Sequence, residues 1–332
     1  MNTLNKILVG LLGVQVVVLL GMTLGDTDDR LALAEAVDLF PGLEAPKVTT
    51  LEVFGPSRDG DAQERVKLAR RGDGWVLPEK DDFPVKGQEV DVLLGKLAGL
   101  RSRNQVLTGS EYHEKLEVAD TAYRRRVVMS SGDEERVLFI GTSPSFKNVH
   151  VRRAGEDAVY QVSELSESDA GSRAWNWVDR SYVKIPKEQL WSVTVKNEHG
   201  TLQLDKDPAS GTWAVLGMKK PTDNTKVDGL VGDVADIGLE SPVGRSAPDG
   251  AKLGEVATIT LVTGTSTLAG TPPPTTETLT VEIGAEVGEA DRRYVKSSQS
   301  EYVAEVAAWE LKKIIETKRD DLAKEEDKDD AK

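Results

Sequence analysis

The sequence predicts an α+β protein with a single N-terminal transmembrane helix followed by two tandem repeats. Each repeat is expected to be an antiparallel β-meander with a packed amphipathic helix, completed by a second β-rich portion. Three observations carry this expectation. An uncharged run precedes the first acidic cluster, a succession of alternating segments closes on a helical stripe, and the same succession returns about 140 residues later, too long a period for a solenoid.

Residues 7–25 form a run of 19 residues without a charge. As a helix rising about 1.5 Å per residue it spans roughly 28 Å, close to the hydrocarbon thickness of a bilayer. Lys6 precedes the run and Asp26, Asp28 and Asp29 follow it, so the positive-inside bias keeps the N-terminus in the cytoplasm and sends the body across. Thr23-Leu24-Gly25 is a poor cleavage site, which favours an uncleaved anchor over a signal peptide. Gly21 and Gly25 make a small-xxx-small pair suited to packing against another membrane helix. The expected arrangement is therefore a single-pass anchor with the N-terminus cytoplasmic and the body extracytoplasmic.

Beyond the anchor (1–25), a linker with a short helix at 30–37 occupies 26–44, since Leu31, Ala34 and Val37 fall at helical spacing before Pro41-Gly42. The first repeat is expected over 45–185. Strands are read at Val48-Leu51-Val53, Val66-Leu68 and Trp75-Val76-Leu77, then an amphipathic helix through Val90, Leu93, Leu94, Leu97 and Leu100. The second repeat, 186–318, repeats the order at Leu190-Val193-Val195, Leu202-Leu204, Trp213-Val215 and the stripe Val227, Leu230, Val231 and Val234. Further segments match as well: Val137 to Gly141 with Leu279 to Gly284, and the pair Val149-Val151 and Val159-Val162 with Val295 and Val303-Val306. Each unit closes on a tryptophan-bearing helical stretch, Trp175 and Trp177 in the first and Trp309 in the second. Low complexity marks 264–278 as a loop and 324–332 as too polar to pack, and 319–332 is read as a charged disordered tail.

A net charge of −14 argues against nucleic acid, whose phosphates need a basic stripe. The absence of cysteine removes disulfides, thiolate nucleophiles, thiolate metal sites and a lipoprotein anchor together. Of the three histidines, His113, His150 and His199, no two sit at ligand spacing; His150 is expected to face outward from a strand and His199 to sit in a hairpin turn before Gly200. No nucleophile elbow or phosphate-binding loop occurs, because Gly141-Thr-Ser143-Pro-Ser145 lacks the closing glycine. The acid pairs Asp81-Asp82 and Asp320-Asp321 have no calcium-loop spacing and read as solvated loops. No catalytic residue, cofactor or metal is expected. Trp75 and Trp213 stand at the same point of both repeats and read as core, whereas Trp191 has no aromatic counterpart and is the candidate surface ligand contact.

The turn Leu39-Phe40-Pro41-Gly42-Leu43, the Gly74-Trp75 strand, the step Phe83-Pro84-Val85 into a helix and the segment Tyr112-x-x-x-Leu116-x-Val118 resemble the bacterial family called domain of unknown function 4340. The resemblance runs from about Leu39 to Val162 and more weakly through the second repeat. It departs mildly in Leu116-Glu117-Val118, where a glycine is common in the family, and in the Thr/Pro-rich insertion of the second repeat. The resemblance implies a membrane-anchored extracytoplasmic protein associated with an ABC-2 type permease, its ATPase and a gliding-motility-type auxiliary subunit, and it supplies no catalytic residues. The expected function is accordingly that of a non-enzymatic accessory subunit of such a transport complex, working through protein contacts. The alternative is an envelope polysaccharide- or lipid-binding protein using the cleft between the repeats.

Overall fold

The computed structural model describes residues 35–57, 64–266, 270–289 and 291–324. Residues 7–25, with Gly21 and Gly25, lie outside the described residues; among the described residues no helix is long and apolar enough to cross a membrane. The described chain is mostly antiparallel sheet with few helices, an α+β architecture.

The first unit runs β1 (Val37–Asp38), β2 (Thr50–Phe54), β3 (Arg65–Arg71), β4 (Gly74–Leu77), β5 (Phe83–Pro84), α1 (Gly87–Ala98), β6 (Arg101–Ser102), β7 (Asn104–Leu107), β8 (Arg125–Ser131), β9 (Glu134–Ile140), β10 (Val149–Arg153) and β11 (Val159–Val162). The second runs β12 (Ser181–Lys184), β13 (Leu190–Asn197), β14 (Gly200–Lys206), β15 (Trp213–Val215), α2 (Asn224–Ala235), β16 (Asp236–Gly238), β17 (Ser241–Gly244), β18 (Ala257–Thr263), β19 (Glu277–Glu286), β20 (Arg292–Ser297), β21 (Val303–Ala307) and α3 (Ala308–Glu316). The larger sheets have the orders β5-β4-β3-β2-β8-β9-β10-β11-β7 and β15-β14-β13-β18-β19-β20-β21-β17, with β1-β6 and β12-β16 as separate ladders.

Alternation dictates which strand faces turn inward. Leu51 and Val53 of β2, Val66 and Leu68 of β3, and Val193 and Val195 of β13 are buried, and the stripes of α1 (Val90, Leu93, Leu94, Leu97) and α2 (Val227, Leu230, Val231, Val234) close over them. Asp223 caps α2 by accepting from Thr225 N (3.0 Å) and Lys226 N (3.3 Å). One continuous apolar core runs through both units.

The opposite face of the first sheet is covered as well. The chain between β7 and β8 lays Val118 and Tyr123 on Phe139 and Val159. Arg152, almost fully buried, clamps that covering segment by donating to the Val118 carbonyl (2.6 Å), the Glu156 carbonyl (3.0 Å) and Asp120 (2.9 Å), with its guanidinium over the Phe139 ring. The covering chain approaches so closely at Gly141 that a Cβ there would lie 2.1 Å from the Leu116 carbonyl oxygen, which accepts from Thr142 N at 2.9 Å. The second sheet has the same geometry: a Cβ on Gly284 would lie 2.1 Å from the Ala251 carbonyl oxygen, which accepts from Ala285 N at 2.8 Å. The residue after each of those carbonyls is left-handed, Glu117 at φ 55° and Lys252 at φ 47°. That conformation is one in which glycine is free of the strain a side chain brings.

All four edges of the two larger sheets are blunted against further pairing. β5 is two residues with Pro84, β15 is three residues, β7 is irregular opposite Val159 and Tyr160, and β17 carries Pro242 at a register shift.

Four expectations need correction. Val37 is not helical: β1 pairs with β6 (Val37↔Ser102), and an extended approach puts Leu39 and Phe40 into the core, so the described end of the 26–44 segment is part of the body. Trp175 lies in a single 3₁₀ turn, Ala174–Asn176, too short to bury a helical stripe. His150 does not face outward but is 7% exposed and bonded to Thr142 Oγ1 at 2.9 Å, because both faces of its sheet are covered. The predicted tail begins with a packed 3₁₀ turn, Arg319–Leu322, that buries Leu322 and bridges Ala323 to Thr222.

Candidate interaction site

The inner stripe of α1 accounts for four of its apolar residues, yet Val92 points away from it and is 53% exposed. Val92, with Gln88 and Glu89, forms one wall of a groove of about 490 Å³ whose other wall is the connection between the sheets, including Asp169, Asn176 and Trp177. That wall is built from local bonds. Ser166 and Asp169 form a capping box, Lys96 of α1 reaches Asp169 at 2.7 Å, and the Trp177 indole donates to the Gly171 carbonyl at 2.8 Å. A Cβ on Gly171 would lie 2.4 Å from the Asn176 side chain, so the turn needs glycine. Burial opposes ionisation of Asp169, but the bonds from Lys96 and Ser166 outweigh it and hold the carboxyl below its usual range. Next to Asn176, Trp175 is 38% exposed with Arg180 over its ring at 5.7 Å.

The two sheets meet where the β5 end of the first faces the β17 end of the second. Asp81 and Asp82 are both left-handed (φ 55° and 58°), and this unusual pair of non-glycine residues is held from the other unit. Asp81 accepts from Arg245 N (2.7 Å), the Asp82 carbonyl accepts from the Tyr302 hydroxyl (3.1 Å), and that hydroxyl accepts from Arg245 Nη2 (2.9 Å). The Phe83 and Tyr302 rings meet edge to face at 4.7 Å, and Lys86 N donates to the Trp177 carbonyl at 2.7 Å. Beneath these contacts is a cavity of about 300 Å³ lined from both sides, by Phe83, Pro84 and Val85 and by Tyr182, Leu239 and Tyr302 among others. Burial pushes the Tyr182 hydroxyl's pKa up; it donates to the Tyr302 carbonyl (2.6 Å) and accepts from Ser297 N (3.0 Å).

The residues singled out from sequence do not converge. Trp75 and Trp213 are buried core residues in matching positions, each facing a basic residue across the ladder, Arg70 and Lys206. Trp191 is half-buried, and its indole already donates to the Gly264 carbonyl at 2.9 Å. His113 is buried against the Asp157 carbonyl, and His199 occupies the β13–β14 turn. Among the described residues no group of three or more His, Asp or Glu side chains is placed to hold a metal ion. Sequence reasoning missed Val92, although its position off the α1 stripe was a readable signal. It also missed Arg245 and Tyr302, for which no local signal exists.

The geometry defines a class: an antiparallel α+β body of two sheets joined at a hydrogen-bonded seam, with open grooves on its described surface. Residues 75–222 match the family model described as Domain of unknown function (DUF4340), and this stretch belongs to that family. The match runs from β4 through β15, across the connection between the sheets, and so includes the α1 groove and the first-unit side of the seam. No curated protein and no solved structure matches the chain.

Proposed function

We propose that this protein is a non-enzymatic accessory subunit of an ABC-2 type transport complex, held in the bacterial inner membrane by residues 7–25 with its body extracytoplasmic. Gly21 and Gly25 pack that helix on the permease, and the body docks on a second extracytoplasmic subunit. The observation that carries the docking half of this reading is the α1 groove. An exposed Val92 and Trp175 flank a concave surface built from the family-matched stretch, the combination of apolar anchor and polar rim that protein interfaces use. We also propose that the two units are tandem repeats of one fold. Their parallel strand orders, the glycines Gly141 and Gly284, and the left-handed Glu117 and Lys252 support that origin.

The test is purification of the full chain from native membranes in mild detergent, with the co-purifying chains identified by mass spectrometry. A permease and an ATPase are expected, and Val92→Asp combined with Trp175→Ala is expected to lose the extracytoplasmic partner while retaining the membrane one. A preparation at native expression that contains this chain alone overturns the reading. The alternative, a ligand-binding protein using the cleft between the repeats, is favoured by the seam cavity, which both sheets line. Glycan or lipid binding that survives removal of the permease and is lost on filling that cavity would select it.

A further inference from the structure

The most exposed tryptophan in the described body is Trp309, 71% accessible on α3. Leu311 and Ile314 bury the inner face of that helix, while Trp309, Lys312, Lys313 and Glu316 line the outer one. The β13–β14 turn supplies the facing wall through Glu198 and His199, and it is fixed there because Asn197 Nδ2 donates to the carbonyls of Ile314 (3.3 Å) and Thr317 (3.0 Å) at the end of α3. Lys318 and Asp321 close the floor, with Lys318 N donating to Asp321 at 2.8 Å. The result is an open groove of about 750 Å³ containing one indole.

We infer that this groove is a saccharide-binding site in which the indole face of Trp309 stacks on a sugar ring and the surrounding side chains bond its hydroxyls. Two features select that ligand. First, every other lining residue is polar or charged, so the aromatic has no apolar surround of the kind a protein hot spot needs; a sugar ring pairs one apolar C–H face with a rim of hydroxyls, each both donor and acceptor. Second, the lining balances three lysines (Lys312, Lys313, Lys318) against three acids (Glu198, Glu316, Asp321), which favours neither a polyanion nor a polycation. The Lys312 and Glu316 side chains make no hydrogen bond or ion pair to other described residues, so both are available, whereas Lys313 is held by Asp233 at 2.9 Å and His199 lies 3.3 Å from Glu198. The ligand is accordingly a glycan of little net charge. The α3 side of the groove lies outside the family-matched stretch, whereas Glu198 and His199 lie within it, and the groove shares no lining residue with the α1 groove or the seam cavity.

The experiment is calorimetric titration of the detergent-solubilised full chain with an N-acetylglucosamine tetramer, a neutral glucan oligomer of the same length and an oligouronate. Saturable binding of a neutral oligomer is expected, weakened at least tenfold by Trp309→Ala, weakened less by Lys312→Ala, and unchanged by Trp191→Ala. Because Trp309 is exposed, its replacement leaves the core intact, which matched melting curves verify. The inference is overturned if no neutral oligomer binds saturably, if Trp309→Ala binds as the wild type does, or if only the oligouronate binds. Partner recovery in the detergent pull-down is expected to be unaffected by Trp309→Ala, so failure here is separable from failure of the docking reading. Loss of the partner in that variant assigns the surface to protein contact and likewise overturns the inference.

Discussion

The close approach at Gly141 sets up a sharp prediction for Gly141→Ala. The added Cβ would stand 2.1 Å from the Leu116 carbonyl oxygen, 2.6 Å from Val118 Cγ1 and 2.7 Å from the Glu117 carbonyl oxygen. Two of the three obstacles are backbone, so no side-chain rotation relieves them; the covering segment must lift. Overpacking of that kind costs about 1–3 kcal/mol. Lifting also strains the bond from Thr142 N to the Leu116 carbonyl, for a further ~1 kcal/mol. Opposing this, alanine restricts the unfolded chain by about 0.5–1 kcal/mol relative to glycine. The net expectation is destabilisation by about 2–3 kcal/mol, measured by urea unfolding followed by tryptophan fluorescence. The internal control is Gly95→Ala in α1, where a Cβ meets nothing within 4 Å and alanine's helix preference should stabilise by up to ~1 kcal/mol. If Gly141→Ala costs under ~1 kcal/mol, the covering segment yields freely and the argument from close approach fails; Gly284→Ala should behave like Gly141→Ala.

Three other outcomes follow from the same structure. Lys252→Gly removes an exposed residue from a left-handed position that costs about 1–2 kcal/mol and should raise the unfolding midpoint, whereas Glu117→Gly also loses the 2.6 Å bond to Arg124 and should not; equal gains in both would show that this ion pair contributes nothing. Tyr302→Phe deletes the hydroxyl joining the Asp82 carbonyl to Arg245 and should cost about 1–2 kcal/mol, with faster amide exchange confined to the seam; uniform exchange would count against a local role. Burial lowers the His150 pKa from 6.5, with the Thr142 bond opposing, so the unfolded state binds the proton more readily and stability falls as pH drops below 6.5 through the folded value. His150→Gln should flatten that part of the pH profile, and an unchanged slope would refute burial as its cause.

The regular elements were readable because each carries its own period. The β2–β3–β4 meander, the α1 and α2 stripes and the His199 hairpin all follow from residues within a few positions of one another. What alternation cannot state is what lies against each face. His150 reads as outward because the covering segment has no period, only the isolated apolar residues Val118 and Tyr123. Val37 reads as helical because its partner, Ser102, stands beyond α1 and far along the chain. The seam was beyond reach, since the Tyr302–Asp82 bond joins residues 220 positions apart and neither carries a local signal. Of the candidate site, Val92 was legible as an apolar residue off its stripe, while the facing wall depends on 3₁₀ turns whose bonds only the folded chain displays.

The equivalences between the units show where to look for what is particular to this protein. The buried tryptophans, the close-approach glycines and the left-handed residues after Leu116 and Ala251 occur twice, so they are explained by building the same kind of sheet twice. The features that occur once are different in kind. β5 has no counterpart after β15, and it forms the seam by bringing Phe83 to Tyr302. The connection carrying Asp169 and Asn176 packs on α1 as 3₁₀ turns, whereas the neighbour of α2 is the helix α3 with its exposed Trp309. Packing within either unit does not account for an aromatic in water at Trp309 or an apolar side chain off the stripe at Val92. Those two exposed residues, each beside a groove, are therefore the places where substitution should alter binding before it alters the fold.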